Sequence, residues 1–421
     1  VQMREITTLN DLRVYSNKLS KDMMPGMIHP LIWSINVPLI NKIWLGILEE
    51  IVGDLPIEPE DLAKSFFFRS YFNMSAIGQV FTRVGFPSEG LEMMMGVVPK
   101  DEGTPTFKPA LKMLPLLPRL FGFMIDKWRF ERKIKSEFPG VRDELRKFTP
   151  YPDPDAPFEQ QILEIESLYR AVQRVVYFNV LTPILATMYV RMLERQLLKL
   201  GIDLLEFDLL ENFPDVDQYQ PNIALAKLHQ KLNQLVKEKN LGTEQEKAEI
   251  KLSDINGSGF EKDLDGFIED FGHISDNSNN FMAAPWRENP QMILQMIYDY
   301  REVDRGGSNR VRFEDLPVKG GNKMVTRMFY NRARKFTLYR DEVSKAYMYG
   351  YGLFRPYFLR LAEGLVNRGW LSSSDDIYYL KWSEIQELVT DGGITSSEQK
   401  IETRRKEMEE YRDVMLPEVI Y

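Results

Sequence analysis

The chain contains no cysteine. That excludes disulfides, thiolate nucleophiles and cysteine-ligated metals, and it fits a reducing, cytoplasmic setting. Histidine is almost as scarce: His29, His229 and His273 are the three present, and no two stand at the spacing a metal site uses, so no metal ligands are assigned. The G-x-x-x-x-G-K-[ST] and G-x-G-x-x-G phosphate loops, the G-x-S-x-G elbow and the H-E-x-x-H helix are all missing, which removes the commonest nucleotide, hydrolase and zinc chemistries. Long hydrophobic runs are lacking too. The uncharged apolar run between Arg174 and Arg191 has 16 residues, short of the ~20 needed to span a bilayer. It reads as a helix buried on all sides, and no membrane partner is expected. Residues 1 to 20 are polar and mixed in charge, unlike a secretory signal. Val1 in first place suggests a processed or excised chain. A net charge of -8 with both signs interspersed gives no surface for nucleic acid.

What remains is mostly helical pattern. With 421 residues the chain can bury a large core. After Phe158, apolar residues recur at alternating threes and fours from Ile162 to Leu200, which predicts one very long helix kinked at Pro183. A second begins after Gly321 and carries Phe329, Ala333, Phe336, Val343, Tyr347, Gly350, Phe354, Phe358 and Leu365 up to Gly369. The first helix is apolar all round at its middle, so several helices must surround it. The expected fold is mainly α: a large elongated multi-helix bundle with two very long helices and at most a few short strands. Breakers at 149–157 and the charged tail divide it into an N-terminal helical lobe (1–150), a main bundle (151–395) and a linker helix (396–421).

Smaller expectations follow along the chain. Residues 5–22 suit an opening helix, and an amphipathic helix should run to about Gly53. The aromatic-rich stretch 62–86 reads as core, 97–110 as a loop, and the helix carrying Phe121 to Ile134 as basic on its solvated side. Lys237 to Lys251 reads as a solvated face. Asp254, Asn256, Ser258, Gly259 and Asp265 imitate a calcium loop, but Lys262 among the would-be ligands favours an interhelical turn. Ile377 to Leu380 suits a short strand, with Ser383 and Gln386 capping the next helix.

Chemistry concentrates in Phe267 to Pro290. Leu264, Phe267, Ile268 and Phe271 share a helix face, Gly272 should end that helix, and Asn289 with Pro290 should start the next. Between them His273, Trp286 and Arg287 suit a substrate-binding loop; a hydrogen-bonded loop organiser and a plug under the helix start are the structural alternatives. Arg340 falls on the apolar seam of the second long helix. A permanent cation there needs either a structural carboxylate or a phosphate-bearing ligand, and Lys345, about a turn on, could share an anion with it. No residue is assigned a catalytic role.

The pattern F-x-x-x-F-G-H at Phe267 to His273, followed by P-W-R-E-x-P at Pro285 to Pro290, resembles the central region of the phosphoenolpyruvate-synthase-like phosphotransferases, the rifampicin phosphotransferase type above all. Pro25, Gly26, Pro30 and Leu31 resemble the family's P-G-x-x-x-P-L segment, Arg332 to Glu342 its arginine-rich stretch, and Gly369 to Ile385 its G-x-L-x-x-x-D-D-[IV]-F-[YF]-L segment. The resemblance implies an acceptor-binding helical domain of an ATP-dependent enzyme that passes phosphate through a phosphohistidine on a separate swivelling domain. It places Arg340 facing phosphate. Neither the swivelling G-G-x-x-S/T-H-x-A signature nor an ATP-binding portion is found here, so these partner domains are expected in the same or a companion chain. ATP and Mg would belong to the complete enzyme, no cofactor is assigned to this chain, and alone it should be inactive. Ser344 stands where some relatives have Lys, and Ile274 where many continue with Arg-Gly, so a different small-molecule acceptor is inferred. The rival reading is a non-catalytic helical scaffold or protein-interaction module derived from that family.

Overall fold

Long apolar helices dominate the computed structural model, which describes residues 14–18, 20–55, 58–83, 117–209, 219–238, 250–301, 310–393 and 397–420. The described residues are mainly α-helical, with a few short strands. The predicted loop 97–110 and most of 237–251 lie outside them. By contacts the chain divides into two units, one of residues 1–180, 279–282 and 353–421, the other of 181–278 and 283–352.

In the first unit, helix α1 (Pro30–Val52) begins with proline at its first position and ends at Gly53, whose φ of 83° only glycine adopts without strain. Leu31, Ile32, Ile35 and Leu39 are fully buried along it. Strands β1 (Tyr15–Ser16), β2 (Ala63–Phe66), β3 (Arg69–Asn73) and β4 (Val419–Ile420) form an antiparallel sheet in the order β2-β3-β1-β4. The opening helix is therefore not formed at 15–16, where pairing with Asn73 and Ile420 holds an extended backbone. Tyr71 and Phe72 are core as predicted, but Phe67 is exposed at the turn between β2 and β3.

Helices α2 (Met74–Arg83), α3 (Leu117–Trp128) and α4 (Phe130–Leu145) follow, then α5 (Phe158–Leu198). The last is 41 residues long and uninterrupted despite Pro183, about 60 Å of helix. By length and composition α1 and α5 would each pass as membrane-crossing, yet Leu31 and Ile32, like Ile165 and Leu168, are buried within the first unit, as core helices require.

The second long helix departs from expectation. It is two helices, α9 (Gly320–Gly352) and α10 (Phe354–Asn367), named after α6 (Pro221–Glu238), α7 (Phe260–Phe271) and α8 (Pro290–Tyr298). Pro356 explains the break, because it has no N–H to offer the Gly352 carbonyl one turn back. Residues 374–379 form a 3-10 turn and not a strand. Ser373 and Asp376 close its start reciprocally: the Asp375 amide donates to the Ser373 hydroxyl and the Ser373 amide to the Asp376 carboxylate. Helix α11 (Trp382–Thr390) starts one residue before Ser383, and Glu384 accepts from the Lys381 amide at 2.8 Å, so Glu384 and not Gln386 does the capping. Gln386 instead donates to Glu166.

The tail helix α12 (Glu398–Glu410) is charged, as read, but it is docked on the first unit. Ile401 and Met408 are buried, Arg404 binds both oxygens of Glu384 at 2.6 and 2.9 Å, and Arg405 pairs with Asp376.

In the second unit, Leu225, Leu228 and Leu232 of α6 pack with Leu264, Phe267 and Phe271 of α7 and Ile293, Leu294 and Ile297 of α8. The calcium-like segment is a turn between helices. The Asp254 carboxylate accepts from the Lys251 amide, and that of Glu261 from the Gly257 and Gly259 amides. Those carboxylates are spent on backbone groups.

Candidate functional site

Helix α7 ends at Phe271 because Gly272 turns the chain back beneath Arg287. Gly272 caps it in a right-handed conformation, φ -63°, so its value is not the left-handed geometry glycine usually supplies. Its value is space: an added Cβ would overlap the Ile268 carbonyl oxygen and lie 3.0 Å from the Arg287 Cβ. The Gly272 carbonyl accepts from the Arg287 amide at 2.9 Å and from its Nε at 3.3 Å, and the Ile274 carbonyl accepts from the Trp286 amide at 2.8 Å. His273 is thus held between two backbone hydrogen bonds that close the base of the loop. Asn289 caps α8 by accepting from the Met292 amide at 3.1 Å, with Pro290 at the first helical position.

The His273 side chain is 5% exposed. Its Nε2 is buried without a hydrogen-bond partner among the described residues, an unusual state for a polar atom. The Tyr349 ring stands edge-on at 5.8 Å. Burial first, then the positive charges of Arg287 and Lys345, push its pKa down to about 3. The imidazole is therefore neutral at neutral pH. Lys345 lies 3.5 Å from Asp270 Oδ1 and 4.6 Å from the centre of the Phe271 ring. Trp286 stacks on Phe267 with ring centres 6.3 Å apart and adjoins the apolar cluster of the unit, the plug that a helix start needs.

Three of the five residues singled out from sequence, His273, Arg287 and Lys345, therefore come together, and Trp286 supports them from the core side. Arg340 does not sit in the apolar seam. Ala333, Phe336, Val343, Tyr347 and Gly350 are buried as the spacing predicts, but the Arg340 side chain is 47% exposed, with its Nε and a terminal nitrogen 2.9 and 2.8 Å from Asp341 Oδ1. Helical spacing marks a direction, and at Arg340 that direction leaves the side chain half-exposed. Tyr349 and Asp270 were missed. Their signal is positional: Tyr349 lies one turn after Lys345, and Asp270 three residues before His273. Among the described residues no three carboxylates or imidazoles converge as metal ligands would.

Residues 179–341 match the family model described as rifampicin phosphotransferase fourth domain. The chain is similar to rifampicin phosphotransferase of Bacillus cereus, with 25% identity over 144 residues, covering 30% of this chain and 17% of that protein. It is also similar to rifampicin phosphotransferase of a Streptomyces species, with 22% identity over 176 residues, 37% of this chain and 20% of that one. The matches thus span a fifth or less of those relatives' lengths. The matched family segment includes His273, Trp286, Arg287 and Arg340.

Proposed function

We propose, from the premise that residues 179–341 make this chain the bearer of a rifampicin phosphotransferase-like domain of the phosphoenolpyruvate-synthase-like kind, that its second unit binds the small-molecule acceptor of an ATP-dependent phosphotransferase. A phosphohistidine on a swivelling domain would bring the phosphoryl group, with ATP and Mg handled by a separate ATP-binding domain. Such an enzyme works in the cytoplasm, where ATP is made available.

The observation that carries this reading is the neutral, buried His273, whose Nε2 has no hydrogen-bond partner among the described residues, flanked by Arg287 and Lys345. Phosphoryl transfer needs fixed positive charge around the migrating group and a base for the attacking hydroxyl. In the proposed step the acceptor oxygen bonds to phosphorus, the phosphorus–nitrogen bond to the carrier histidine breaks, and the hydroxyl proton goes to His273 Nε2. A base with a pKa near 3 is weak on its own. Burial is the main cause of that low value; the arriving phosphoryl group is negative and would offset the smaller effect of the two cations, so basicity rises as the group arrives. Arg340, exposed on α9 about two turns or more from Tyr349, would guide the approach of the phosphorylated carrier rather than join His273 at the migrating group.

One observation favours the second reading, a scaffold that has kept the fold without the reaction: Arg340 and Lys345 each already face a carboxylate, Asp341 and Asp270. A thermal-shift screen of the chain with pyruvate, phosphoenolpyruvate and rifampicin separates the two. The acceptor reading expects at least one of them to raise the melting temperature in the wild type and not in His273→Phe. No shift with any of the three favours the scaffold.

A further inference from the structure

Helix α3, in the first unit, is inverted relative to what water selects. Its charged Lys127 is the buried residue, 4% exposed, with Nζ 2.6 Å from Glu50 and 2.8 Å from Asp126 and within 5.0 Å of the centre of the Phe123 ring. Its large apolar side chains point outward: Leu117 is 44%, Phe121 66%, Met124 59% and Ile125 41% exposed. These four stand at i, i+4, i+7 and i+8, a single stripe. The sequence expectation of a basic solvated side is corrected here: the outward face of α3 is greasy, and its one lysine is buried.

Those cations indicate what the stripe fits. Between Leu117 and Lys135 there are six basic residues (Arg119, Lys127, Arg129, Arg132, Lys133 and Lys135) against two acids, Asp126 and Glu131, in a chain whose net charge is -8. Lys127 is neutralised by Glu50 and Asp126, and Lys135 by Glu131. Arg129 and Arg132, just past the end of α3, remain exposed, whereas Arg119 stands on the opposite side of the helix from Leu117 and Phe121, its guanidinium against Gly53. An exposed apolar helix face followed at its C-terminal end by exposed arginines, in an otherwise acidic chain, is complementary to an anionic phospholipid surface: the apolar side chains enter the acyl boundary and the Arg129 and Arg132 guanidinium groups reach the headgroups. We infer that α3 is a peripheral membrane-binding helix that lays its Leu117–Phe121–Met124–Ile125 face on anionic lipid. This goes beyond the phosphotransfer reading, does not depend on it, and departs from the sequence expectation of no membrane partner.

The test is co-sedimentation of the chain with phosphatidylcholine vesicles, with and without a quarter phosphatidylglycerol. The expected result is binding to the anionic vesicles, weakened by salt, and at least tenfold weaker for the Phe121→Glu, Met124→Glu double variant. Both sites are exposed, so the variant should keep its circular dichroism spectrum and melting temperature. Met324→Glu, at an apolar residue exposed on α9, should bind like wild type. The inference is overturned if neither vesicle brings the protein down, or if the double variant binds equally well. It is also overturned if sedimentation velocity shows a dimer that the double variant abolishes while lipid binding is absent, since the stripe would then be a protein interface.

Discussion

The Arg287 amide donates to the Gly272 carbonyl at 2.9 Å, and a Cβ added at Gly272 would overlap the Ile268 carbonyl oxygen and press on the Arg287 Cβ at 3.0 Å. His273 owes its position to that approach. Gly272→Ala should therefore cost about 1–3 kcal/mol, the usual penalty for overpacking, measurable by urea denaturation. The variant should also shift the His273 imidazole resonances, because the end of α7 at Ile268 and the neighbouring Arg287 must adjust around the new methyl group.

Protonation of His273 should set an acid limit on stability. Its pKa is lowered from 6.5 in the unfolded chain to about 3 in the fold, so between those values the unfolded state takes up a proton that the native state refuses. Stability is thus fully present above about pH 6.5 and falls as pH drops toward 3, by up to about 1.4 kcal/mol per unit. His29 is also lowered, by burial, so the contribution of His273 is the difference in slope between wild type and His273→Phe. Melting temperatures from pH 4 to 7 should give the variant the flatter profile.

Much of this region can be read from the sequence, and the reasons are local. The end of α7 at Gly272, the Asn289 cap and Pro290 at the start of α8 depend on neighbours within four residues. The break between α9 and α10 was equally local, at Pro356, but the seam continues through Phe354 and Phe358 and concealed it. Arg340 failed for a different reason. Periodicity gives the side of a helix and not what covers it, so an exposed Arg and a buried one at 340 have the same pattern. The pairing of Tyr15 with Ile420 joins opposite ends of the chain, which no window can detect. The inverted face of α3 was obscured because Lys127 reads as solvated until Glu50, from another helix, is placed beside it.

Docking of α12 should depend in part on the Arg404–Glu384 ion pair. Burial raises the Glu384 pKa, but hydrogen bonds from Arg404 and the Lys381 amide, with the charges of Arg404 and Lys400, together lower it to about 2. Its contribution is present above the ordinary carboxylate range and is lost as pH falls toward 2. Arg404→Ala should destabilise by about 1–3 kcal/mol. Hydrogen exchange of 398–410 should accelerate in that variant, with α1 unchanged.

Arg340→Ala should leave stability within about 1 kcal/mol of wild type, as expected for an exposed pair. If Arg340 guides the phosphorylated carrier, the same substitution should reduce transfer at least tenfold once the companion histidine-bearing domain and ATP are supplied. Chemical denaturation and a transfer assay on one preparation separate the two effects.

The most direct measurement is an NMR titration of the His273 imidazole with and without phosphoenolpyruvate, using wild type and Lys345→Ala. An anion held by Arg287 and Lys345 should move the His273 signals and raise its apparent pKa by one unit or more, and removing Lys345 should diminish both effects. His273 signals and pKa that stay unchanged at saturating phosphoenolpyruvate, pyruvate and rifampicin would contradict the account.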